Sequence, residues 1–236
     1  VQEEGCSKKG SRQEEGSKEK DSEEESCPQE SHFQKGRCEK SDCRSQLTLF
    51  AMSPWALNRL VHELSNGAVI GYPTDTIWGF GCDPYAPESV VRIFQIKQRR
   101  VEKGLILLSS QLEYCEPFIK LDQQQRDQLS LPTERPTTWL VDASDNCPPW
   151  ICGKHTTVAI RITDHPLLAY LCPRLHSPLV STSANTAGKS PARSALQMRR
   201  QFGAQLDFIV TGFNSGGRQA SQIKSLASGN LLRTAN

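Results

Sequence analysis

The sequence predicts an α/β fold in which helices flank a mixed, twisted sheet. Short apolar runs typical of buried strands alternate with segments whose apolar residues recur at helical spacing. Several predicted strands follow one another without an intervening helix, which favours a mixed sheet over a strictly parallel one. Hydroxyl, amide and cationic side chains cluster where these elements end, which suits the binding of a polyphosphate and a small polar acid.

The first helix is predicted to begin at Ser53. Serine is a typical N-cap, and Pro54 suits the first helical turn. Leu60 and Leu64 lie on its apolar face, and Gly67 ends it.

The later helices are predicted where a proline or a capping side chain precedes apolar residues at helical spacing. They span Pro87–Lys97, Asp122–Leu129, Asp164–Leu171 and Ser190–Gly203. The predicted strands are Ala68–Tyr72, Leu105–Leu108, Thr137–Val141, Thr157–Ile162, Pro178–Ser181 and Phe208–Val210, and the segment Pro73–Asp83 is predicted to be a loop.

Residues 1–46 differ in composition from the rest of the chain. They hold 12 Asp/Glu and 9 Lys/Arg, and Val1, Phe33 and four Cys are nearly their only apolar residues. Such a segment cannot bury enough surface to offset its ordering entropy, so we predict a disordered charged tail over 1–46 and a folded body over 47–236. The first Met is Met52, beside the first predicted helix. The tail is therefore either a genuine extension or sequence upstream of the natural start.

The charge and cysteine content of the body exclude several classes of protein. Residues 47–236 carry 19 Lys/Arg against 14 Asp/Glu, a mildly basic balance that suits an anionic ligand and is weak for DNA binding. The nine cysteines do not form two close pairs, so we expect no metal site. With no signal peptide and no long apolar run, we expect a reduced cytoplasmic enzyme without membrane contact.

Three short motifs carry the chemistry. They are Thr74-Asp75-Thr76, Lys97-Gln98-Arg99 and Ser181-Thr182-Ser183-Ala184-Asn185. Fixed cations beside a buried strand suit a triphosphate, although cations also favour a helix C-terminus through its dipole. We expect Lys97 and Arg99 to be exposed at the end of their helix. Serine and asparagine at a strand end suit ligand binding, although they also favour turns.

Arg161 lies in a predicted strand between apolar residues, where an unpaired cation is costly. Its partner is predicted to be either a ligand carboxylate or an internal acid such as Asp164. The sequence alone leaves both alternatives open.

The order of these motifs resembles the YrdC/TsaC family of L-threonylcarbamoyladenylate synthases, in its short bacterial form. The resemblance runs from about Ser53 to Arg233 and implies a YrdC-like single domain with a concave basic cleft. It rests on the opening signature Tyr72–Asp83, the K-x-R motif Lys97–Arg99, the S-x-N motif Ser183–Asn185 and the strand Val158–Ile162 followed by Asp164-His165-Pro166.

The resemblance implies a reaction and its partners. Such enzymes convert L-threonine, bicarbonate and ATP, with Mg²⁺, to threonylcarbamoyl-AMP and pyrophosphate. They need no organic cofactor, and a transferase complex then moves the threonylcarbamoyl group to adenosine 37 of tRNA. Because the product ends on tRNA, a weak contact with RNA belongs to this expectation.

The resemblance also implies residue roles. Lys97, Arg99, Ser183 and Asn185 are the implied catalytic residues. The implied ATP ligands are Lys97, Arg99, Lys103, Thr157, Ser183 and Asn185, and the implied threonine ligands are Thr76, Arg161 and Ser181.

One departure from the family pattern and two rival functions stand beside this prediction. Arg135 replaces a glycine of a family Pro-Gly-Pro-x-Thr stretch, and we expect it at the mouth of the pocket. One rival is a double-stranded RNA or tRNA-binding module without turnover, which lacks support from an aromatic stacking strip. The other is a carbamoyl-phosphate-using transferase, whose additional zinc-finger and acylphosphatase regions are not visible in the sequence.

Overall fold

A single mixed sheet organises the part of the chain that the structure, a computed structural model, describes: residues 52–211 and 220–234. The predicted tail over 1–46 lies outside these residues and stays a prediction. The strands are β1 Ile70–Tyr72, β2 Gly79–Cys82, β3 Ile106–Ser109, β4 Thr137–Asp142, β5 Thr157–Ile162, β6 Leu179–Ser183, β7 Phe208–Ile209, β8 Gln222–Ser225 and β9 Leu231–Arg233.

The strand order among the described residues is β7-β1-β2-β6-β3-β5-β4-β8-β9. The pairs β1–β7, β3–β5 and β4–β8 are parallel, and the other neighbours are antiparallel. The predicted mixed sheet is therefore confirmed.

Helices cover both faces of this sheet. They are α1 Pro54–Ser65, α2 Pro87–Lys97, α3 Gln123–Ser130, α4 Pro149–Cys152, α5 Pro166–Leu175 and α6 Ala195–Phe202. The helices α1 and α5 pack through buried leucines against β1, β3 and β6 in one apolar cluster. The helices α2 and α6 bury their apolar faces in a second cluster, where Phe80 of β2 meets Phe202 edge to face.

The predicted start of the first helix is confirmed. Ser53 caps α1, and its side-chain oxygen accepts a hydrogen bond from the Ala56 amide at 3.2 Å. Leu57, Leu60 and Leu64 are the buried residues of α1, a spacing that places them on one face.

Two predictions about elements are wrong, and some elements were missed. The segment predicted as a loop contains β2, whose Gly79 and Gly81 have little intrinsic preference for strands. A side chain at Gly81 would meet Tyr72 Cε1 at 2.7 Å, so glycine is required there by the packing of β1 on β2. The helix predicted from Ser190 begins at Ala195 instead. The sequence analysis also missed β8 and β9.

No helix within residues 52–211 and 220–234 combines the length and the apolar character needed to cross a bilayer.

Candidate active site

A cavity of about 370 Å³ lies on the sheet face packed by α1 and α5, where the strands are not covered by these helices. Ser181, Ile106, Ala159 and Leu140 lie side by side across β6, β3, β5 and β4, and all four line the cavity. Residues two apart in a strand share a face. The cavity-lining residues of β5 accordingly alternate: they are Thr157, Ala159 and Arg161.

Cations dominate the charged lining of this cavity. Arg99, Lys103, Arg161 and Arg233 line it, and the described lining contains no carboxylate. Burial lowers the pKa of Arg99, and the neighbouring Arg233 lowers it further. Burial and the charge of Arg161 lower the pKa of Arg233 in the same way. Cations crowded at one cavity favour an anionic ligand, so the predicted basic cleft is present.

Lys97 does not lie where the sequence analysis expected it. A helix-end lysine was expected to be exposed, whereas Lys97 is 4% exposed and the lining does not include it. Its ammonium donates to Ser183 O, to Ser183 Oγ at 3.3 Å, to Asn185 O at 3.0 Å and to Asn185 Oδ1 at 3.1 Å. Burial, with a smaller effect of Arg99, lowers the pKa of Lys97 to about 8.

The K-x-R and S-x-N motifs therefore meet in one hydrogen-bonded unit. Ser183 Oγ donates to Asn185 Oδ1 at 2.6 Å, and Asn185 Nδ2 donates to Lys189 O at 2.7 Å. The Lys97 carbonyl also accepts from the Ala187 amide at 2.9 Å. Lys97 is therefore hydrogen-bonded to the loop after β6, and Ser183, one of its partners, also lines the cavity.

Arg99 fixes the turn that follows it. Its Nη2 donates to the carbonyl oxygens of Lys103 at 3.3 Å and Gly104 at 3.1 Å. Both acceptors are neutral, so these contacts orient the guanidinium without cancelling its charge.

Arg161 has an internal partner, and the partner is Asp75. Arg161 Nη2 lies 2.9 Å from Asp75 Oδ1, and Arg161 Nη1 donates to Thr76 Oγ1 at 3.3 Å. Asp164 is exposed and makes no such contact. Because Arg161 also lines the cavity, the internal ion pair and a ligand contact are compatible.

The hydrogen bonds around Thr74 and Thr76 determine which of the two hydroxyls donates to the other. Thr74 Oγ1 donates its one proton to Ile77 O at 2.7 Å. The 3.0 Å contact between Thr74 Oγ1 and Thr76 Oγ1 must then use the Thr76 proton. Thr76 Oγ1 also accepts from Arg161. The lone pair that remains on Thr76 can only accept a hydrogen bond from a ligand.

The cavity collects most of the predicted site residues. Lys97 and Asn185 lie beside it rather than in its lining. The predicted residues that line it are Thr76, Arg99, Lys103, Thr157, Arg161, Ser181 and Ser183.

Sequence reasoning missed part of the lining and misplaced Arg135. Arg233 and Ser221 reach the cavity on or next to strands β9 and β8, which were not predicted. Arg135 is exposed and lines a separate cavity with Trp139 and Lys224, so its expected place at the pocket mouth is wrong. Within the described residues, no three His, Cys, Asp or Glu side chains converge as metal ligands.

The fold and the site define a class: an α/β protein with a cation-lined cleft on a mixed sheet. The family model for Sua5, YciO and YrdC proteins, described as "Telomere recombination", matches residues 62–235. The chain belongs to this family.

A curated relative and two solved structures illustrate the similarity. The Cellvibrio japonicus protein named threonylcarbamoyl-AMP synthase is 43% identical over 187 residues, which cover 77% of this chain and 99% of the relative. P. abyssi Sua5 complexed with L-threonine gives a TM-score of 0.71 at 26% identity, over 78% of this chain and 55% of that one. E. coli YciO gives a TM-score of 0.66 at 20% identity, over 76% of this chain and 88% of that one, and this similarity supports the fold alone.

Proposed function

We propose that this protein is a threonylcarbamoyl-AMP synthase, which makes L-threonylcarbamoyl-AMP and pyrophosphate from L-threonine, bicarbonate and ATP. The observation that carries the proposal is a cavity that is lined by Arg99, Lys103 and Arg233 and has no carboxylate in its described lining. The curated relatives named for this activity add to it, as does the threonine complex of P. abyssi Sua5. Both a polyanion and an amino acid suit the groups on the cavity walls.

The threonine end of the cavity is assigned to Arg161, Thr76 and Ser181. The Nη1 edge of Arg161 suits the carboxylate of the substrate, because guanidinium binds carboxylate by charge-assisted hydrogen bonds. Thr76 has only an acceptor free, which suits the donor hydrogens of the substrate ammonium or amine. Ser181 supplies a hydroxyl from the neighbouring strand.

The nucleotide end is assigned to other residues of the same lining. Arg99, Lys103 and Arg233 supply positive charge for the phosphates, and Thr157 and Ser183 supply hydroxyls. The lining residues that could help to hold Mg²⁺ are the hydroxyls of Thr157 and Ser183, and the described lining has no carboxylate. The ion would supply positive charge to the phosphates of ATP.

The chemistry needs positioning and charge more than a strong base. The neutral amine of threonine attacks the carbon of bicarbonate, which expels an oxygen as water, or of CO₂ formed from bicarbonate, whose C=O π electrons move to oxygen. The nitrogen loses a proton to solvent, and a carbamate results. A carbamate oxygen then attacks the α-phosphorus, and the bond to the pyrophosphate oxygen breaks. Negative charge grows on the departing pyrophosphate, where Arg99 and Lys103 stabilise it.

The product then serves a tRNA-modifying transferase. Threonylcarbamoyl-AMP is a mixed anhydride, and a partner transferase complex moves its acyl group to adenosine 37 of tRNA. We place this step in the cytoplasm, where tRNA and the substrates coexist.

A product assay tests the proposal. The protein is incubated with ATP, L-threonine and bicarbonate, and threonylcarbamoyl-AMP is sought by mass spectrometry. We expect an adenylate that needs both threonine and bicarbonate. RNA binding without any such adenylate would instead support the binding-module function.

Substrate preference and one variant sharpen the assay. The kcat/KM for threonine should exceed that for serine modestly, since one methyl group in a pocket contributes only about 1–3 kcal/mol. Arg161→Ala should weaken threonine use far more than ATP use. An unchanged KM for threonine in Arg161→Ala would show that Arg161 serves only its internal pair with Asp75.

A further inference from the structure

The four cations of the cavity differ in one respect, which is the nature of their partners. Arg99 donates to carbonyl oxygens of the backbone, and Arg233 donates to the carbonyl of Ser221 at 2.9 Å. Neutral acceptors of this kind leave the full positive charge in place. No acid among the described residues forms an ion pair with Arg99, Arg233 or Lys103.

Arg161 alone among these four has a carboxylate partner within the described residues. Its side chain is 7% exposed and that of Asp75 is 21% exposed, with 2.9 Å between Nη2 and Oδ1. The opposite unit charges of the pair sum to zero, and salt screens a shielded pair at this distance only a little. Arg161 lines the cavity, and Asp75 is not among the lining residues.

Of the other titratable groups around Arg161, two are uncharged, and the third, Arg233, is a cation whose pKa is lowered by burial and by Arg161. His165 is 3% exposed at the start of α5, and burial lowers its pKa to about 4, which leaves the imidazole neutral. Burial raises the pKa of Tyr72, which keeps its phenol protonated. Asp75 is therefore the group that neutralises Arg161.

We infer that Asp75 determines which substrate occupies each end of the cavity. By neutralising Arg161 it makes the Arg161 end suited to a zwitterion, which carries no net charge, and poor for a phosphate. The uncompensated Arg99, Lys103 and Arg233 remain for the polyanion. This inference rests on the proposed function, because it takes threonine and ATP as the two ligands.

The role assigned to Asp75 concerns charge, and one substitution separates charge from shape. Asp75→Asn keeps an oxygen at the Oδ1 position that can still accept from Arg161, while it removes the negative charge. Arg161 would become a further uncompensated cation in the same cavity. Inorganic phosphate should then bind at Arg161 and compete with threonine.

The experiment measures inorganic phosphate as an inhibitor of adenylate formation, with threonine and ATP varied in turn. In the unaltered protein, phosphate should compete with ATP and not with threonine. In Asp75→Asn, phosphate should also compete with threonine. Its inhibition constant against threonine should be at least about tenfold lower than in the unaltered protein, the scale expected for uncovering a shielded charge. Asp75→Glu, which keeps the charge, should restore the original pattern.

Asp207→Asn is the matched control. Asp207 forms a comparable ion pair with Arg92, at 2.8 Å, away from the cavity lining. Its loss should lower stability and leave the inhibition pattern unchanged. A merely structural role for Asp75 would likewise reduce the amount of active protein without altering competition.

Three outcomes would overturn the inference. One is competition between phosphate and threonine in the unaltered protein, a measurement that needs no variant to fold. Another is an Asp75→Asn enzyme whose inhibition by phosphate matches that of the unaltered protein. The third is an unaltered protein that makes no threonine-dependent adenylate, which removes the proposed function as well and is seen before any variant is made.

Discussion

At the residue scale, Arg99 is the cation whose loss should damage catalysis most directly. In the proposed function its guanidinium binds the phosphates, so Arg99→Ala should cost about 2–4 kcal/mol of transition-state stabilisation, typical of one preorganised electrostatic contact. Rates of pyrophosphate release check this. Arg100→Ala, which removes an exposed neighbouring charge outside the lining, is the control. Near-normal turnover by Arg99→Ala would place the phosphates elsewhere.

Lys97 should have a different effect, because it is buried and holds the loop after β6. Its pKa is lowered to about 8, so the ammonium loses its charge above that pH in the free enzyme. We expect kcat/KM for ATP to fall above about pH 8, since kcat/KM reports ionisations of the free enzyme. Lys103→Arg, which keeps a charge in the cavity, should retain this alkaline decline. A flat profile to pH 9.5 or so would contradict the role of the Lys97 charge.

The same pKa affects stability in the opposite sense. Between a pH of about 8 and the ordinary lysine pKa of 10.5, the unfolded chain binds more protons at Lys97 than the folded protein does. The contribution of Lys97 to the free energy of unfolding therefore rises with pH in that window. Lost activity above pH 8 would then not arise from global unfolding through this group.

His165 gives a stability prediction at acidic pH. Its folded pKa is about 4, against an ordinary value of 6.5, so the unfolded chain binds the extra proton between these values. Its contribution is complete above pH 6.5 and is lost as the pH falls toward 4, by up to about 3 kcal/mol. Denaturant unfolding at pH 7 and pH 5 should show a smaller difference in His165→Asn. The exposed His155→Asn should behave like the unaltered protein, and equal pH slopes in all three proteins would contradict the prediction.

At the scale of elements, Gly104 joins the turn Val101–Lys103 to β3 and packs against α4. Its φ of +58° and ψ of −178° fall in a region reserved for glycine. An added Cβ would meet Ile151 O at 2.8 Å and Cys152 O at 2.9 Å. Gly104→Ala should therefore lose more than the roughly 1–3 kcal/mol of backbone strain alone. It should also raise the KM for ATP, because Arg99 donates to the Gly104 carbonyl.

Gly229→Ala separates strain from collision. Gly229 has a φ of +68°, and an added Cβ there would have no neighbour within 4 Å. Thermal unfolding of the two variants should show a clearly larger loss for Gly104→Ala. Equal losses would mean that α4 moves freely away from the turn.

The elements that were predicted correctly have strong local patterns. The helix Pro87–Lys97 and the strand Thr157–Ile162 have the predicted bounds, because a proline start and a strand rich in β-branched residues need little tertiary help. The strands β2 and β8 lack such patterns. Gly-Phe-Gly-Cys and Gln-Ile-Lys-Ser become strands only through their neighbours in the sheet.

The candidate site divides in the same way. Arg161 could be predicted to need a partner from its apolar neighbours, but the identity of Asp75 depends on how β1 and β5 are brought together. Arg233 could not be predicted, because its strand was not. The burial of Lys97 depends on the loop after β6, which no local pattern specifies.

At the scale of the whole molecule, the cations of the cavity that lack a carboxylate partner among the described residues repel one another until an anion binds. Ligands that bind only the folded state raise the free energy of unfolding, by about 2.7 kcal/mol at a hundredfold excess over Kd. ATP with Mg²⁺ should therefore raise the Tm, and salt should reduce the gain by screening. Adenosine, which has no phosphates, is the control. An equal shift with adenosine would mean that the cations do not hold the phosphates.

The position of Arg233 on β9 has a consequence for how the enzyme becomes active. Thr76 follows the first strand of the sheet and Arg233 ends the last described one, yet both line one cavity. Contacts between residues so distant in sequence form slowly, because a long loop must close before they are gained. In refolding from denaturant, the ability to capture ATP should appear together with the slowest phase of folding. A refolding intermediate would then have no synthase activity, and the recovery of activity would follow the formation of the native state.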